Sequence, residues 1–514
     1  MRLAELVAAS AAVAATASRL EKIAHLADFL KRVPPDEVAI AVSFLSGSLR
    51  QGRIGIGGAA LSQLRDVPPA DVSSLDLRDV DAAFDRVAAA SGAGAATTRS
   101  QLLRQLLGGA ARGEQDFLIR LLFGELRQGA LEGVLLEAVA RAAAAPAARL
   151  RRAAMLGGSL ADAARVALVE GDAALSRFIL QPFQPVQPML ADTAADVGAA
   201  LSDLGAASFE YKLDGARIQA HKSGSDVRVY SRTLRDVTSA VPEVVSVVRA
   251  MPAPSLVLDG EAIALRDDGS PHPFQVTMQR FGRKHAVREL SLTPFFFDAL
   301  YLDGTALVDE PLARRAALLA EQVPAANIVP RLVTSSPAAA AAFVARALAE
   351  GHEGVMAKAV DGVYAGGRRG QAWLKIKQAH TLDLVILAVE WGSGRRRGTL
   401  SNLHLGARDT ERGGFVMLGK TFKGLTDEML AWQTRTFLEI EIARDARTVY
   451  VRPEVVAEIA FNDIQASPQY PGGLALRFAR VKRYRTDKTA AEADTFETIQ
   501  KIYERTTGLP APVR

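Results

Sequence analysis

Apolar residues recur at helical spacing through the N-terminal third of the chain. Leu20, Ile23, Ala27 and Leu30 lie three or four positions apart, which is the spacing of one face of an amphipathic helix. The same spacing continues through FLIRLLFGELRQGALEGVLLEAVARAAAA, where glycines punctuate the pattern at expected helix ends or close helix contacts. The pattern therefore predicts an all-α region over residues 1–182.

The segment LQPFQPVQPML interrupts this helical pattern. Its prolines Pro182, Pro185 and Pro188 lack the backbone donor that a helix needs, and they favour extended backbone before each ring. Proline at this density is typical of an extended linker. We therefore expect a domain boundary between residues 182 and 190.

Two strand-rich regions follow the linker. Over residues 190–382, strand-like runs alternate with turns and helical stretches, which predicts a mixed α/β domain; the runs are FEYKLDG, RIQAHK, VRVYSR, LVLDGEAIAL, PFFFDALYL, GVMAK and WLKIK. Over residues 383–514, strands joined by short turns predict a small β-barrel; these runs are LDLVILAVEWG, SNLHLGARD, GFVMLGKTF, RTVYVRP and VVAEIAF.

Composition narrows the possible functions. The 514 residues are 49% hydrophobic and 23% charged, which is typical of a folded chain of about three domains. The sequence has no cysteine, which excludes disulfides and cysteine-ligated zinc, so a hard cation on carboxylates is the expected kind of metal site. No run reaches the roughly 18 apolar residues that span a bilayer. We therefore expect a cytoplasmic protein with no membrane partner.

Basic residues concentrate near the end of the chain. The formal net charge is +5, but RFARVKRYRTDK, from Arg477 to Lys488, holds six basic residues and one acidic residue. Considered alone, this stretch fits a solvated charged strand and a polyanion-binding strand about equally well.

The segment FEYKLDG carries the first candidate chemistry. Side chains alternate across a strand, so one face would be apolar and the other would present Glu210, Lys212 and Asp214. A lysine on a half-buried strand is a candidate nucleophile once it loses its proton. From this segment alone, a cross-strand ladder of salt bridges is the favoured alternative.

Three later segments add carboxylates and amines. Asp259 and Glu261 share a face of LVLDGEAIAL, Glu353 lies in HEGVMAK, and WLKIKQ places Lys375 and Lys377 on one face. Together these faces would line a cleft with a nucleophilic amine, carboxylates for Mg²⁺ and lysines directed at phosphates. Such a set fits attack on a phosphate while a metal neutralises the developing charge.

These segments resemble a known superfamily. KLDG is similar to the KxDG signature of covalent nucleotidyltransferases, and further elements match that superfamily in order, namely SRTLRD, LDGE, FFFDALYLDG, EGVMAK, WLKIKQ and RFARVKRYRTDK. EYKLDGARIQAHK, HPFQVTMQRFGRK and EGVMAKAVDGVYAGGRRGQAWLKIK resemble the ATP-dependent DNA ligases of archaea, eukaryotes and some bacteria, including actinobacteria. QPML and the helical segment around FLIRLLFGELRQG resemble the N-terminal DNA-binding domain of that group, so the resemblance covers nearly the whole chain.

The resemblance implies a multidomain protein. A helical DNA-binding domain would span residues 1–182, an α/β adenylation domain of ATP-grasp-like type residues 190–382, and an OB-fold β-barrel residues 383–514. The protein would be an ATP-dependent DNA ligase that seals nicks through a lysyl-AMP and a DNA-adenylate, in replication, repair or recombination. It would use ATP with Mg²⁺ or Mn²⁺ and encircle nicked double-stranded DNA as a monomer, associated with the nucleoid in a bacterium.

The resemblance also implies roles for individual residues. Lys212 would be the AMP-lysine, with Lys375 and Lys377 as further catalytic residues. Glu210 would contact adenine, Phe297 would stack on it, and Arg217 and Arg232 would lie near the ribose and the 5′-phosphate of the nick. The implied ATP-binding residues are Glu210, Lys212, Arg217, Arg232, Glu261, Phe297, Arg369 and Lys375. Glu261 and Glu353 would bind the metal. The residues implied to close over ATP or contact DNA are Arg477, Arg480, Arg483, Arg485 and Lys488.

Two alternatives stay open at this point. An RNA ligase or a capping-type enzyme would use the same lysine, although the helical first region and the longer matches argue against it. A catalytically inactive nucleic-acid-binding protein would keep the fold, although the intact set of Lys212, Glu261, Glu353 and Lys375 argues against that. ATP is favoured over NAD⁺ because the chain has no cysteines for the zinc module of the NAD⁺-using ligases.

Overall fold

A computed structural model describes the chain except residues 53, 57–63, 125, 127–131, 282–289, 368, 378–379, 394–395, 508 and 513–514, and except the side chains of residues 65, 275, 279 and 369. The described residues form a helical N-terminal region, a middle region of two sheets with flanking helices, and a mostly sheet C-terminal region. None of the helices within these described ranges is both long and apolar enough to cross a membrane.

The N-terminal region is helical, as the apolar spacing predicts. Its helices are α1 (Leu3–Ala15), α2 (Arg19–Leu30), α3 (Val38–Leu45), α4 (Leu77–Ala89), α5 (Ala95–Gly108), α6 (Arg112–Phe123), α7 (Glu132–Ala142), α8 (Ala147–Leu156) and α9 (Leu160–Val169). Ser18 begins α2 by accepting the backbone N–H of Glu21. Phe29 and Leu30 of α2 are buried, whereas Leu20 is 75% exposed, so the packed face begins one turn later than the spacing predicts.

Two five-stranded sheets build the middle region. The first has the order β1-β10-β9-β2-β8, with β1 (Leu190–Thr193), β2 (Ala207–Tyr211), β8 (Arg331–Thr334), β9 (Gly354–Ala359) and β10 (Arg369–Lys377). The second has the order β4-β3-β5-β6-β7, with β3 (Ala216–Ser223), β4 (Asp226–Ser231), β5 (Ser255–Ala264), β6 (Leu292–Leu302) and β7 (Thr305–Ala306). The helices of this region are α10 (Val197–Leu204), α11 (Pro242–Arg249), α12 (Phe274–Gln279), α13 (Leu312–Gln322) and α14 (Pro337–Ala349).

Strand β2 differs from the half-buried strand that the alternation predicts. All five of its residues are buried, and it ends at Tyr211, so Lys212 follows the strand. The prediction of one packed and one open face is therefore wrong here. Alternation in a single segment reports only that segment's own polarity, whereas β2 lies inside its sheet between β8 and β9 and is covered on both faces.

The C-terminal region is built on one seven-stranded sheet and a hairpin. The sheet contains β11 (His380–Trp391), β12 (Leu400–Arg408), β13 (Phe415–Thr421), β14 (Glu441–Arg444), β15 (Thr448–Val451), β16 (Val456–Phe461) and β19 (Arg480–Tyr484), and the hairpin pairs β17 (Asp463–Ala466) with β18 (Leu474–Arg477). All five predicted runs of strand are confirmed. The region also contains two helices that the strand pattern did not predict, α15 (Asp427–Glu439) and α16 (Phe496–Thr507).

Candidate active site

The site forms where three segments of the middle region meet. The Lys212 ammonium contacts the Glu353 carboxylate, and Lys377 Nζ donates to the same carboxylate at 2.9 Å. The main chain fixes this meeting, because Lys212 N–H donates to the Gly354 carbonyl at 2.9 Å and Glu353 N–H donates to the Lys212 carbonyl at 3.3 Å. The structure thus brings KLDG, EGVMAK and WLKIK together, as their proposed common cleft requires.

Gly215 lets KLDG turn closely against strand β5. A Cβ atom at this position would lie 2.3 Å from Cγ2 of Ile263 and 2.5 Å from the carbonyl oxygen of Ala262, closer than real side chains approach. Only glycine therefore fits where the chain passes from β2 to β3. This close approach holds Lys212 near Glu261, which lies on β5.

The charges around Lys212 hold it as an ammonium in this arrangement. Burial alone would lower the pKa of Lys212, but the negative charges of Glu353, Asp214 and Glu261 outweigh burial and raise the pKa above its ordinary value. Burial likewise works against ionised Glu353, yet the positive charges of Lys212 and Lys377 lower the pKa of Glu353 overall. A nucleophilic role for Lys212 would therefore require the charge of its carboxylate partners to be neutralised or withdrawn.

Glu261 is the carboxyl that most needs a cation. Burial, together with the charges of Asp259 and Asp214, raises the pKa of Glu261 to about 8, although the positive charges of Lys212 and Arg217 oppose the rise. Within the residues that the structure describes, no three histidine, aspartate or glutamate side chains already form a metal cluster. One or two carboxylates completed by substrate phosphates are the usual ligands of Mg²⁺, so Glu261 and Glu353 fit such an ion.

A second charged cluster forms around Glu210, against the aromatic rings of Phe297 and Trp373. Glu210 is buried, its Oε2 contacts the Lys358 ammonium, and its Oε1 lies 2.7 Å from Nη2 of Arg331. Lys358 Nζ lies 4.4 Å from the ring centre of Phe297 and 4.2 Å from that of Trp373. Burial lowers the pKa of Lys358. Glu210 and Phe297 are therefore brought together, but with partners different from those of Lys212.

Lys358, Arg331 and Trp373 are site residues that sequence reasoning did not assign. Lys358 ends the matched segment EGVMAK and Trp373 begins WLKIK, so the motifs contained a usable signal for both. Arg331 lies on β8, outside every motif. Only the register of β8 with β2, which sets Arg331 opposite Glu210, reveals it.

Arg217 is engaged by protein groups rather than open to a ligand. It binds Asp259 through two nitrogens, at 3.0 and 2.6 Å, and donates to the Met189 carbonyl at 2.6 Å. Burial works against its charge, but Asp259 raises the pKa of Arg217 overall. Arg232, by contrast, is exposed after β4. Lys375 lies partly buried on β10, and the side chain of Arg369 lies outside the described part of the chain.

The basic C-terminal stretch divides into two groups. Arg477 reaches the site, with Nη1 at 3.6 Å from Asp214 and 3.7 Å from Asp463. Arg485 and Lys488 instead bind Asp383, at 2.8 and 2.6 Å.

Two further members of the stretch lie exposed on β19. They are Arg480 and Arg483, and Arg483 pairs with Glu458 at 2.7 Å. Arg483, Arg485 and Lys488 therefore pair with residues of their own region in this arrangement.

Comparisons with known proteins match the whole course of the chain. The family model "DNA ligase N terminus" matches residues 62–140, "ATP dependent DNA ligase domain" residues 188–377, and "ATP dependent DNA ligase C terminal region" residues 396–488. The "Probable DNA ligase" of Anaeromyxobacter sp. (strain Fw109-5) is 60% identical, with 98% of each chain covered. The "Probable DNA ligase" of Mycolicibacterium gilvum (strain PYR-GCK) is 55% identical over 98% of this chain and 100% of its own.

A solved structure has the same fold. "Pmar-Lig_PreS3" superposes with a TM-score of 0.64 and 18% identity, covering 93% of this chain and 99% of its own. The family models and the 60% identical relative confirm the family resemblance inferred from the motifs. The chain belongs to the ATP-dependent DNA ligases, enzymes that seal nicks in DNA.

Proposed function

We propose that the chain seals nicks through a covalent AMP on Lys212. The observation that carries this proposal is the convergence of Lys212, Glu353 and Lys377, with Glu261 close enough to influence the charge of the lysine. A buried amine surrounded by carboxylates suits a nucleophile that attacks a phosphate whose charge is neutralised at the same place.

The reaction proceeds in three transfers. Lys212 Nζ, having lost a proton, attacks the α-phosphorus of ATP; an N–P bond forms and pyrophosphate leaves. An oxygen of the 5′-phosphate at the nick then attacks that phosphorus, which breaks the N–P bond and restores the lysine. The 3′-hydroxyl finally loses its proton and attacks the 5′-phosphate, and AMP leaves. The protein contributes alignment and charge neutralisation at each transfer.

The pocket residues supply nucleotide binding in this proposal. The Glu210 carboxylate accepts from the 6-amino group of adenine, and Phe297 stacks on the ring. Lys375 and Lys377 bind the phosphates, and the family resemblance assigns Arg369 to the same task. Two arginines serve the ribose and the nick. Exposed Arg232 binds the 5′-phosphate of the nick. Arg217, already bound to Asp259, supports the residues beside the ribose.

The carboxyl groups of Glu261 and Glu353 are the proposed holders of Mg²⁺, with Mn²⁺ as a substitute of similar ligand preference. A bound divalent ion supplies neutralisation of charge on the phosphates and on these carboxylates. Removal of divalent ions with a chelator is accordingly expected to abolish labelling of Lys212.

The three regions correspond to the proposed domains. We assign DNA binding to residues 1–182, an ATP-grasp-like nucleotidyltransferase fold to residues 190–382 and an OB fold to residues 383–514; the matched ranges 62–140, 188–377 and 396–488 support this division. One copy encircles nicked double-stranded DNA, held mainly through phosphates by exposed cations such as Arg480 and Arg483. Binding is then salt-sensitive and largely independent of sequence.

Labelling with α-³²P-ATP and Mg²⁺, followed by a chase with nicked DNA or nicked RNA, tests this function. The wild type takes covalent label and discharges it onto nicked DNA. Lys212→Arg keeps a positive charge opposite Glu353 but takes no label, which separates loss of the nucleophile from loss of the ion pair. An unlabelled wild type would indicate an inactive binder, and discharge onto RNA alone would indicate an RNA-joining enzyme; either result contradicts the proposal.

A further inference from the structure

One guanidinium connects the two residues proposed to recognise the base. Nη2 of Arg331 lies 2.7 Å from Oε1 of Glu210 and donates to the carbonyl of Phe297 at 3.0 Å. Glu210 lies on β2 and Phe297 on β6, which belong to different sheets. A single side chain therefore links Glu210 to strand β6, which carries Phe297.

The position of Arg331 is set by the fold. In the antiparallel register of β8 with β2, Arg331 stands directly opposite Glu210. The side chain of Arg331 is 17% exposed and that of Glu210 is 1% exposed, so their pairing is screened little by solvent. Within the described residues, Nε of Arg331 is buried without a hydrogen-bond partner. Arg331 therefore leaves its Nε donor unpaired, while its Nη2 binds both Glu210 and the carbonyl of Phe297.

Base selection depends on the state of the Glu210 carboxylate. An ionised carboxylate only accepts hydrogen bonds, so it suits a purine with a 6-amino group and opposes one with a 6-oxo group. Arg331 on Oε1 and Lys358 on Oε2 bind both oxygens of the Glu210 carboxylate and fix the direction of its remaining lone pairs. A buried acceptor left unpaired by the wrong base gives strong rejection of that base.

We propose that Arg331 is a positioning residue for base selection, one that fixes the Glu210 carboxylate and the Phe297 strand so that the pocket takes a 6-amino purine and rejects a 6-oxo purine. This inference rests on the proposed contact between Glu210 and adenine. Arg331 itself acts through Glu210 and Phe297 and takes no part in the transfer of AMP.

The test compares ATP with inosine triphosphate, which carries a 6-oxo group, as donors in covalent labelling of Lys212. The readout is the ratio of kcat/KM for the two nucleotides. A wild-type ratio above about 100 is expected, and Arg331→Met should lower it roughly tenfold or more. Arg331→Lys keeps a positive charge beside Glu210 and should retain most of the selectivity. A merely structural role would lower labelling by both nucleotides and leave the ratio unchanged, which would overturn the inference.

Two further variants make the outcome specific. Arg346→Met is a matched control, because Arg346 bonds the Tyr211 hydroxyl at 2.8 Å on the neighbouring position of the same strand without contacting Glu210; its ratio should equal that of the wild type. Glu210→Gln should lower the ratio, because an amide can also donate to a 6-oxo group. If Glu210→Gln leaves the ratio unchanged, the proposed adenine contact is wrong. If only Arg331→Met leaves it unchanged, the adenine contact stands and the role of Arg331 is refuted.

Discussion

At the scale of single residues, a buried neutral histidine lies where the proline segment meets strand β3. His221 is fully buried. Its Nδ1 accepts the N–H of Phe183 at 3.0 Å, and its Nε2 lies 2.9 Å from Oε1 of Gln219, which can only accept. The ring therefore carries one proton, on Nε2. Protonation of Nδ1 would break the bond to Phe183 and place a charge inside the protein.

This histidine should make stability sensitive to acid. Burial lowers the pKa of His221 to about 3, while the unfolded chain takes up the proton near pH 6.5. The unfolded state therefore binds more protons between these values, and stability falls as the pH decreases through that window, by about 1.4 kcal/mol per pH unit. Between pH 7 and pH 5, the free energy of unfolding of His221→Gln should fall by about 2 kcal/mol less than that of the wild type. Denaturant unfolding at the two pH values measures this, and equal losses would contradict it.

The proposed reactive residues could be identified from the sequence more readily than their partners. Lys212, Glu353 and Lys377 lie in motifs whose residue types suit phosphate chemistry, and the structure brings them together. The pairing of Glu210 with Arg331 depends on a strand register between segments more than 100 positions apart. No local pattern encodes that register, so the sequence alone could not supply it.

At the scale of elements, the proline segment is a packed strap rather than a free spacer. The Gln219 amide accepts the N–H of Val186 at 2.8 Å and donates to its carbonyl at 3.2 Å. The Tyr364 hydroxyl accepts the N–H of Met189 at 3.0 Å, and Arg217 donates to its carbonyl at 2.6 Å. Side chains of the middle region thus satisfy the backbone groups that the prolines leave available.

A glycine beside this strap should be essential to its packing. A Cβ atom at Gly366 would lie 2.0 Å from the carbonyl oxygen of Gln187. Gly366→Ala should therefore displace the strap, lower the unfolding temperature and speed proteolysis within residues 182–189. Gly370→Ala is the matched control, because nothing lies within 4 Å of a Cβ atom there. Thermal unfolding and limited proteolysis compare the two variants. The close packing would be refuted if both variants behaved like the wild type.

Helices α15 and α16 were not predicted because strand patterns compete with helical spacing in the C-terminal region. In α15, Leu430 and Phe437 are buried, and in α16, Phe496, Ile499 and Tyr503 are buried. These positions have helical spacing, but each helix lies among strong strand patterns that dominated the prediction. By contrast, the helical N-terminal region was predicted because helical spacing recurs through residues 1–182 with no strand pattern competing against it.

At the scale of the whole molecule, the two flanking regions contact the middle region differently. Met155 and Leu156 of α8 pack into an apolar cluster with Met189 of the strap and with Val257 and Leu300 of the second sheet. The described contacts of the C-terminal region are more polar. Arg477 approaches Asp214 at 3.6 Å, and Arg266 donates to the carbonyl of Thr507 at 2.5 Å.

This difference bears on which region moves. An apolar contact is costly to expose to water, whereas polar contacts can be exchanged for water or phosphate. The C-terminal region is therefore the one that we expect to reorient between steps. The change concerns the predicted closing residues Arg483, Arg485 and Lys488, which now pair within their own region.

A variant at Arg485 can test whether lysine adenylation and nick sealing need different positions of the C-terminal region. Here it binds Asp383 at 2.8 Å and Asp487 at 2.6 Å, and neither carboxylate belongs to the group around Lys212. If the C-terminal region turns so that Arg485 meets the leaving pyrophosphate, Arg485→Ala should slow lysine adenylation by about 100-fold, the typical effect of losing one charge-stabilising group. Sealing of nicked DNA that already carries AMP does not need Arg485 at the pyrophosphate, so the variant should seal such DNA at close to the wild-type rate.

Single-turnover labelling with ATP and single-turnover sealing of pre-adenylated nicks measure the two rates separately. Arg452→Ala removes an exposed cation whose ion pair, among the described residues, is the local one with Glu454 at 2.8 Å, so it controls for loss of charge in the same region. If Arg485→Ala slowed both reactions equally, one arrangement would serve every step, and the C-terminal region would not need to turn. If it slowed adenylation alone, the position of Arg485 at Asp383 would belong to the part of the cycle in which the cleft receives DNA.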